Sequence, residues 1–243
     1  MKIFAATQKG INKQENEDCV AVGRTVLTNG WLFTEMNHGI LAVADGVGGN
    51  AAGYVASRYV ADRVCCMKEI DENGLSSINN ELLSLSNEKS DYFGMATTLS
   101  GILISEEKMT IFSIGNSRVY LLQGGIYLKQ LTKDDTTVNY LLSTGKISSE
   151  EADNFERKTE ITACFGGGSS GLFKITIKNM DIVPSSIIVT SDGIHDHLSI
   201  DQMEDIIAEN GLTQMTCEKM IDEARKCGSV DDVSIVLGVM QSN

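Results

Sequence analysis

The stretch Leu41–Ser57, LAVADGVGGNAAGYVAS, runs from an apolar segment through one carboxylate and a cluster of glycines into a helical pattern. The apolar run is of strand length and ends at Asp45. From Ala51 to Ile70, Val55, Tyr59, Val60, Val64 and Met67 then fall on one side at helical spacing, which predicts a long amphipathic helix. Between the two, Gly46, Gly48 and Gly49 offer bare backbone that can approach a ligand closely. Asp-Gly is also among the commonest turn pairs, so the stretch alone leaves both a site and a plain turn open.

Working outward, KIFAAT, CVAVG, GWLFTE and GILAVA precede Asp45 as short strand-like runs separated by turn residues. A second helical pattern follows in LSSINNELLSLSNEKS, through Leu75, Ile78, Leu82 and Leu85. Beyond FGMATT, the runs LSGILIS, MTIFSIG, SRVYLLQ and GIYLKQL predict an antiparallel meander. The polar segment 134–158 has modest helical periodicity and reads as a mobile excursion over a site. LFKITIK and SSIIVTSDG return to strand, SIDQMEDIIAEN and TCEKMIDEARKCG to helix, and DVSIVLGVM to a last strand. Strands, two helices, strands, two helices and a strand describe an α+β layered domain rather than a doubly wound parallel sheet.

Length and composition fit that frame. The chain has 243 residues, 42% hydrophobic and 22% charged, which suits one domain, 1–243, with a substantial core. No apolar run approaches a bilayer span, the opening MKIFAATQKG reads as a strand rather than a signal segment, and a cytoplasmic location is expected. The six cysteines show no CxxC spacing and are expected to be buried thiols. A formal net charge of −13 disfavours nucleic acid as a partner, because neutralising phosphates needs clustered Lys and Arg. It leaves phosphate chemistry open, since a bound cation inverts the local field of a carboxylate cluster.

Carboxylates recur where Asp45 stands, at strand ends. Glu17 and Asp18 precede CVAVG, Asp192 follows IIVT, and Asp231 and Asp232 precede the last strand. Antiparallel pairing that brings these ends to one edge would gather five or six carboxylates, whose mutual repulsion calls for a hard divalent cation. Oxygen-only donors point to magnesium or manganese rather than structural zinc.

In order, NKQENED, VADGVGG, GMATTL, IGNSRVYLL, LTKDDT, VTSDGIHD and VDDVSIV resemble the motifs of the PP2C (PPM) metal-dependent protein serine/threonine phosphatases of bacterial type. Each motif is short, but seven in sequence span nearly the whole chain. The resemblance implies an αββα sandwich, two antiparallel sheets flanked by helices. It implies that Asp45 bridges two Mn2+ or Mg2+ ions, with the Gly46 carbonyl on one and Asp192 and Asp231 on the other. Glu17 and Asp18 would then hold metal-bound waters. A water activated by both ions would attack phosphoserine or phosphothreonine in a protein substrate, without a phosphoenzyme. The chain would act as a monomer, opposing a serine/threonine kinase.

Several positions depart from the family pattern. Lys13 stands where most members have a phosphate-gripping arginine, Asn116 where GDSR has aspartate, Asp135 where a histidine is common, and Asp232 where an asparagine follows the last metal aspartate. Asn116 puts a third metal site in doubt. Val47 follows Asp45-Gly46 where eukaryotic members place a histidine suited to protonating the leaving group, leaving water for that task.

Other motifs carry less. His195–His197, HDH, reads as a surface turn rather than a transition-metal site, and FGGGSSG as a flexible turn, since it lacks the Lys-Ser or Lys-Thr ending of a Walker loop. Ser191 lacks the GxSxG surroundings of a hydrolase nucleophile. Met67, Met203 and Met220 read as packing residues. The alternative function is a regulatory module of the same fold, weakly active or inactive, that binds a phosphoprotein.

Overall fold

The structure is a computed structural model and describes residues 1–47, 52–106, 108–167 and 172–240. Gly48 and Gly49 of the glycine cluster, and 168–171 of FGGGSSG, lie outside the described residues. In chain order the strands β1 (Lys2–Gln8), β2 (Asp18–Val22), β3 (Thr25–Leu27), β4 (Gly30–Glu35) and β5 (Gly39–Val47) lead to helices α1 (Ala52–Val64) and α2 (Glu72–Glu88). Strands β6 (Ala96–Thr97), β7 (Leu99–Ile104), β8 (Lys108–Ile114), β9 (Arg118–Gln123) and β10 (Tyr127–Gln130) follow, then short helices α3 (Thr137–Ser143) and α4 (Ser149–Asp153). The last part holds β11 (Phe165–Gly166), β12 (Thr176–Asp181), β13 (Ile187–Thr190), α5 (Asp192–His195), α6 (Ile200–Asn210), α7 (Gln214–Lys226) and β14 (Val233–Val239).

The strands form two sheets. One has the order β10-β9-β13-β14-β1-β4; the other runs β11-β6-β5-β7-β8-β12, with β2 joined to β5 and β3 to β2. Every strand pairing among the described residues is antiparallel. Alternation along β5 sorts its side chains into two cores. Leu41 and Val43 meet Ile3, Ala5, Val189 and Val236 between the sheets. Ile40, Ala42 and Ala44 face Ala56, Val60, Leu75 and Leu82 of α1 and α2. On the other side Tyr120, Ile188 and Ile235 pack under Met203, Ile207, Met220 and Ile221 of α6 and α7. The four layers are helix, sheet, sheet, helix: the αββα sandwich of the α+β class.

Four expectations need correction. The meander is split after β8. At Gly115 (φ 95°) the chain leaves the sheet of β7 and β8, and β9 and β10 join the other sheet. The first helix ends at Val64 rather than Ile70; Cys66 N–H and Met67 N–H donate three residues back, to Arg63 and Val64 carbonyls, which tightens and closes the last turn. Cys66 and Cys227 are exposed, in the turns that follow α1 and α7, while the other four thiols are buried. His195 is not on a surface turn: it closes the short helix α5, is buried, and its Nδ1 lies 2.8 Å from Thr190 Oγ1. No helix among the described residues is long and apolar enough to cross a membrane.

Candidate metal and phosphate site

Strand alternation also aims the carboxylates. Asp45 continues the inward series of Leu41 and Val43, and Asp18, directly opposite it in register on β2, continues that of Val20 and Val22. Both therefore reach the mouth of the gap between the sheets. Asp192 arrives at the start of α5 after β13, and Asp231 on the turn before β14. Asp45, Asp192 and Asp231, with Lys13, Glu17, Gly46 and Val47, line a cleft of about 520 Å³, completed by Thr98, Asn116 and Thr159–Ile161, while Asp18 is buried behind it.

The surrounding groups fix these positions. Asp45 N–H donates to Thr98 Oγ1 at 3.1 Å, and its carbonyl accepts from Thr98 N–H at 2.8 Å. Ser234 Oγ donates to Asp18 Oδ2 at 2.7 Å across the sandwich. Gly46 N–H donates to the Glu17 carbonyl at 3.0 Å, and a Cβ on Gly46 would strike the Gly53 carbonyl of α1. Arg225 Nη1 holds the Asp231 carbonyl at 2.6 Å. Asn116 Nδ2 donates to Asp192 Oδ2 at 2.9 Å, so the amide sits directly on one of the candidate ligands.

The charge is poorly compensated. Burial first, then the charges of Asp192, Asp18 and Asp231, hold the Asp45 carboxyl well above the usual carboxylate range. Burial likewise pushes Asp18 up to about 8, although hydrogen bonds from Ser234 and Ser191 oppose the rise. Asp192 is raised by burial and by Asp231, against the donation from Asn116. Glu17 is raised by burial, with Lys13 opposing. Lys13 Nζ contacts Asp231 Oδ1 and lies 3.0 Å from Asp232 Oδ2 and 3.4 Å from Glu17 Oε2. Burial lowers its tendency to stay charged, but the hydrogen bonds to Asp231 and Asp232 outweigh this and raise its pKa.

This donor set fits a hard divalent cation. It is all oxygen, acidic and recessed, and Asp18 Oδ1 is buried without a hydrogen-bond partner among the described residues. Among those residues no three His, Cys, Asp or Glu side chains already surround a common point. Asp45 instead shares a hydrogen bond with Asp192, and Lys13 lies on Asp231.

Every carboxylate singled out in the sequence reaches this cluster except Asp135, which turns away to accept the Gly115 N–H at 3.2 Å. Five supporting residues were missed: Gly53, Gly193, Thr98, Arg225 and Ser234. Gly53 lies in the first turn of α1, where a Cβ would meet Glu17 Oε1; a Cβ on Gly193 would strike the Asp232 carbonyl. A glycine inside the helical pattern of NAAGYVAS was the one available signal of such close packing.

The fold and site can be set beside known proteins. Residues 12–223 match the model of the family protein phosphatase 2C. The serine/threonine phosphatase stp of Listeria monocytogenes is 29% identical over 95% of this chain and 92% of its own length. PstP of Mycobacterium tuberculosis is 27% identical over 98% of this chain, corresponding to 44% of PstP. The crystal structure of the M. tuberculosis phosphatase PstP/Ppp is similar with a TM-score of 0.83 at 26% identity, over 100% of both chains. A crystal structure of the PstP catalytic domain in complex with two manganese ions gives 0.75 at 26%, again over 100% of both. The chain therefore belongs to the protein phosphatase 2C family, a class of protein serine/threonine phosphatases. Asp231 lies past the matched stretch, and it is the fold that returns it beside Asp45 and Asp192.

Proposed function

We propose that the chain hydrolyses phosphoserine and phosphothreonine in proteins, dependent on divalent metal held by Asp45, the Gly46 carbonyl, Asp192 and Asp231, with Glu17 and Asp18 acting through water. The observation that carries this reading is the convergence of recessed carboxylates, with charge left uncompensated, on one open cleft. When bound, two Mn2+ or Mg2+ ions supply a nucleophilic water at neutral pH and positive charge towards the phosphoryl oxygens. The chain's own residues do the rest. Thr98 and Ser234 hold Asp45 and Asp18 in place, Asn116 orients Asp192, and Arg225 fixes the backbone at Asp231. Lys13 lines the same cleft and would be the cationic side chain that meets the substrate phosphate. Val47 offers no proton, so water protonates the leaving alkoxide. Asn116 gives Asp192 a neutral donor instead of a second carboxylate, which argues for two ions rather than three.

The same reading includes substrates made by a serine/threonine kinase, and action as a monomer in the cytoplasm. A binding module without turnover would leave the cost of gathering these carboxylates unexplained. The test is hydrolysis of p-nitrophenyl phosphate with Mn2+ and with EDTA. Turnover with the metal and none with the chelator is expected; equal rates in both would overturn the metal dependence.

A further inference from the structure

Two departures from the family pattern, Lys13 and Asp232, lie against each other. Asp232 is buried, and its Oδ1 accepts the Gly10 N–H at 2.6 Å while its Oδ2 accepts the Glu17 N–H at 2.8 Å and the Lys13 ammonium at 3.0 Å. One carboxylate thus pins both ends of the loop that carries Lys13 and holds its charged tip. An asparagine at 232 would bring no net charge to retain an ammonium. The same ammonium rests on Asp231 Oδ1, whose side chain is about half exposed to the cleft. That oxygen also accepts the Asp232 N–H at 2.8 Å, so with the ammonium both of its lone pairs are engaged. A hard cation that takes Oδ1 must displace one of the two donors, of which the side-chain ammonium is the one free to move.

We propose that Lys13, anchored by Asp232, competes with the divalent cation for Asp231, so that cation binding and release of the Lys13 ammonium into the cleft are one coupled step. The inference rests on the metal-site reading above. It makes Lys13 a positioning residue for loading the site: the cation frees the charge that then faces the phosphate. The two effects are reciprocal, as linkage requires.

The test has two readouts, neither of them turnover. Protein stripped with EDTA and dialysed is titrated with Mn2+ by calorimetry, as wild type and as Lys13→Met. Separately, labelling of wild-type Lys13 by an amine-reactive ester is followed by peptide mass spectrometry with EDTA and with saturating Mn2+. Lys13→Met should tighten Mn2+ binding by about tenfold, within the usual range for coupled sites. Lys13 labelling should rise severalfold with Mn2+, while that of Lys226, at the end of α7, stays constant. Both changes are required. Tighter binding with unchanged labelling would mean that Lys13 acts through space by its charge alone, and increased labelling with unchanged affinity would mean no competition; either result overturns the coupling. Absence of Mn2+ binding in wild type and variant alike would overturn the metal-site reading itself.

Discussion

The Asn116 amide donates to Asp192 Oδ2, a place where an aspartate would add a negative charge. Mn2+-soaked crystals should therefore show two strong anomalous peaks at the cluster, and Asn116→Asp should add a third; a fully occupied third peak in the unaltered protein would contradict this. Lys13 offers one compact charge where arginine offers a planar fork for two phosphate oxygens. The ground-state phosphate is already dianionic, so much of this contact is uniform binding, and Lys13→Ala should raise KM more than it lowers kcat. A loss in kcat/KM of about tenfold to a hundredfold, roughly 1.4 to 3 kcal/mol, is expected in steady-state kinetics on a phosphothreonine peptide. Unchanged KM and kcat would remove Lys13 from the phosphate site. At this scale the sequence revealed the chemistry but not the contacts. A carboxylate at a strand end announces itself by type and place. That Asp232 accepts two backbone N–H groups 215 and 222 positions away does not, because it depends on how the chain closes.

Secondary structure was most legible where local signals agreed. Ser199 and Gln202 form a reciprocal capping box at the start of α6, and the apolar spacing of Met203 and Ile207 fixes the face that it buries. Ser199→Ala should cost about 1 kcal/mol, read as a lower urea midpoint with unchanged slope; an unchanged midpoint would show that the cap is not needed. The meander was misread because strand length and turn residues do not say which sheet a strand joins. Gly115, left-handed and close against Thr98, lets the chain cross from one sheet to the other, and Asn116 is carried to the cleft by that crossing. The edge to which the strand ends converge is thus a product of topology, whereas the alternation that aims Asp45 inward is written in LAVAD itself.

Over the whole molecule, gathering acidic groups at one edge of the sandwich links stability to pH and to metal. Asp18 and Asp45 have folded-state pKa values above those of an unfolded chain, so the folded protein holds protons that the unfolded one has lost. Stability in EDTA must then fall as pH rises through that window. His195 works in the opposite sense, its pKa lowered chiefly by burial, but its contribution changes only below its ordinary value near 6.5. Between pH 6.5 and 8 the carboxylates set the sign. Urea titrations in EDTA should show a loss of roughly 1 to 2 kcal/mol across that range, with Mn2+ reversing the slope because its ligands bind deprotonated. Stability in EDTA that rises with pH would contradict the account.

The most direct measurement of the central claim, that converging carboxylates make this cleft a metal-dependent phosphatase site, is turnover of a phosphothreonine peptide by wild type and Asp45→Asn across a Mn2+ titration, with circular dichroism confirming that both are folded. The account predicts Mn2+-dependent release of phosphate by the wild type and loss of that activity in the variant, with weakened Mn2+ binding. Wild-type turnover and unaltered metal affinity in Asp45→Asn would contradict it.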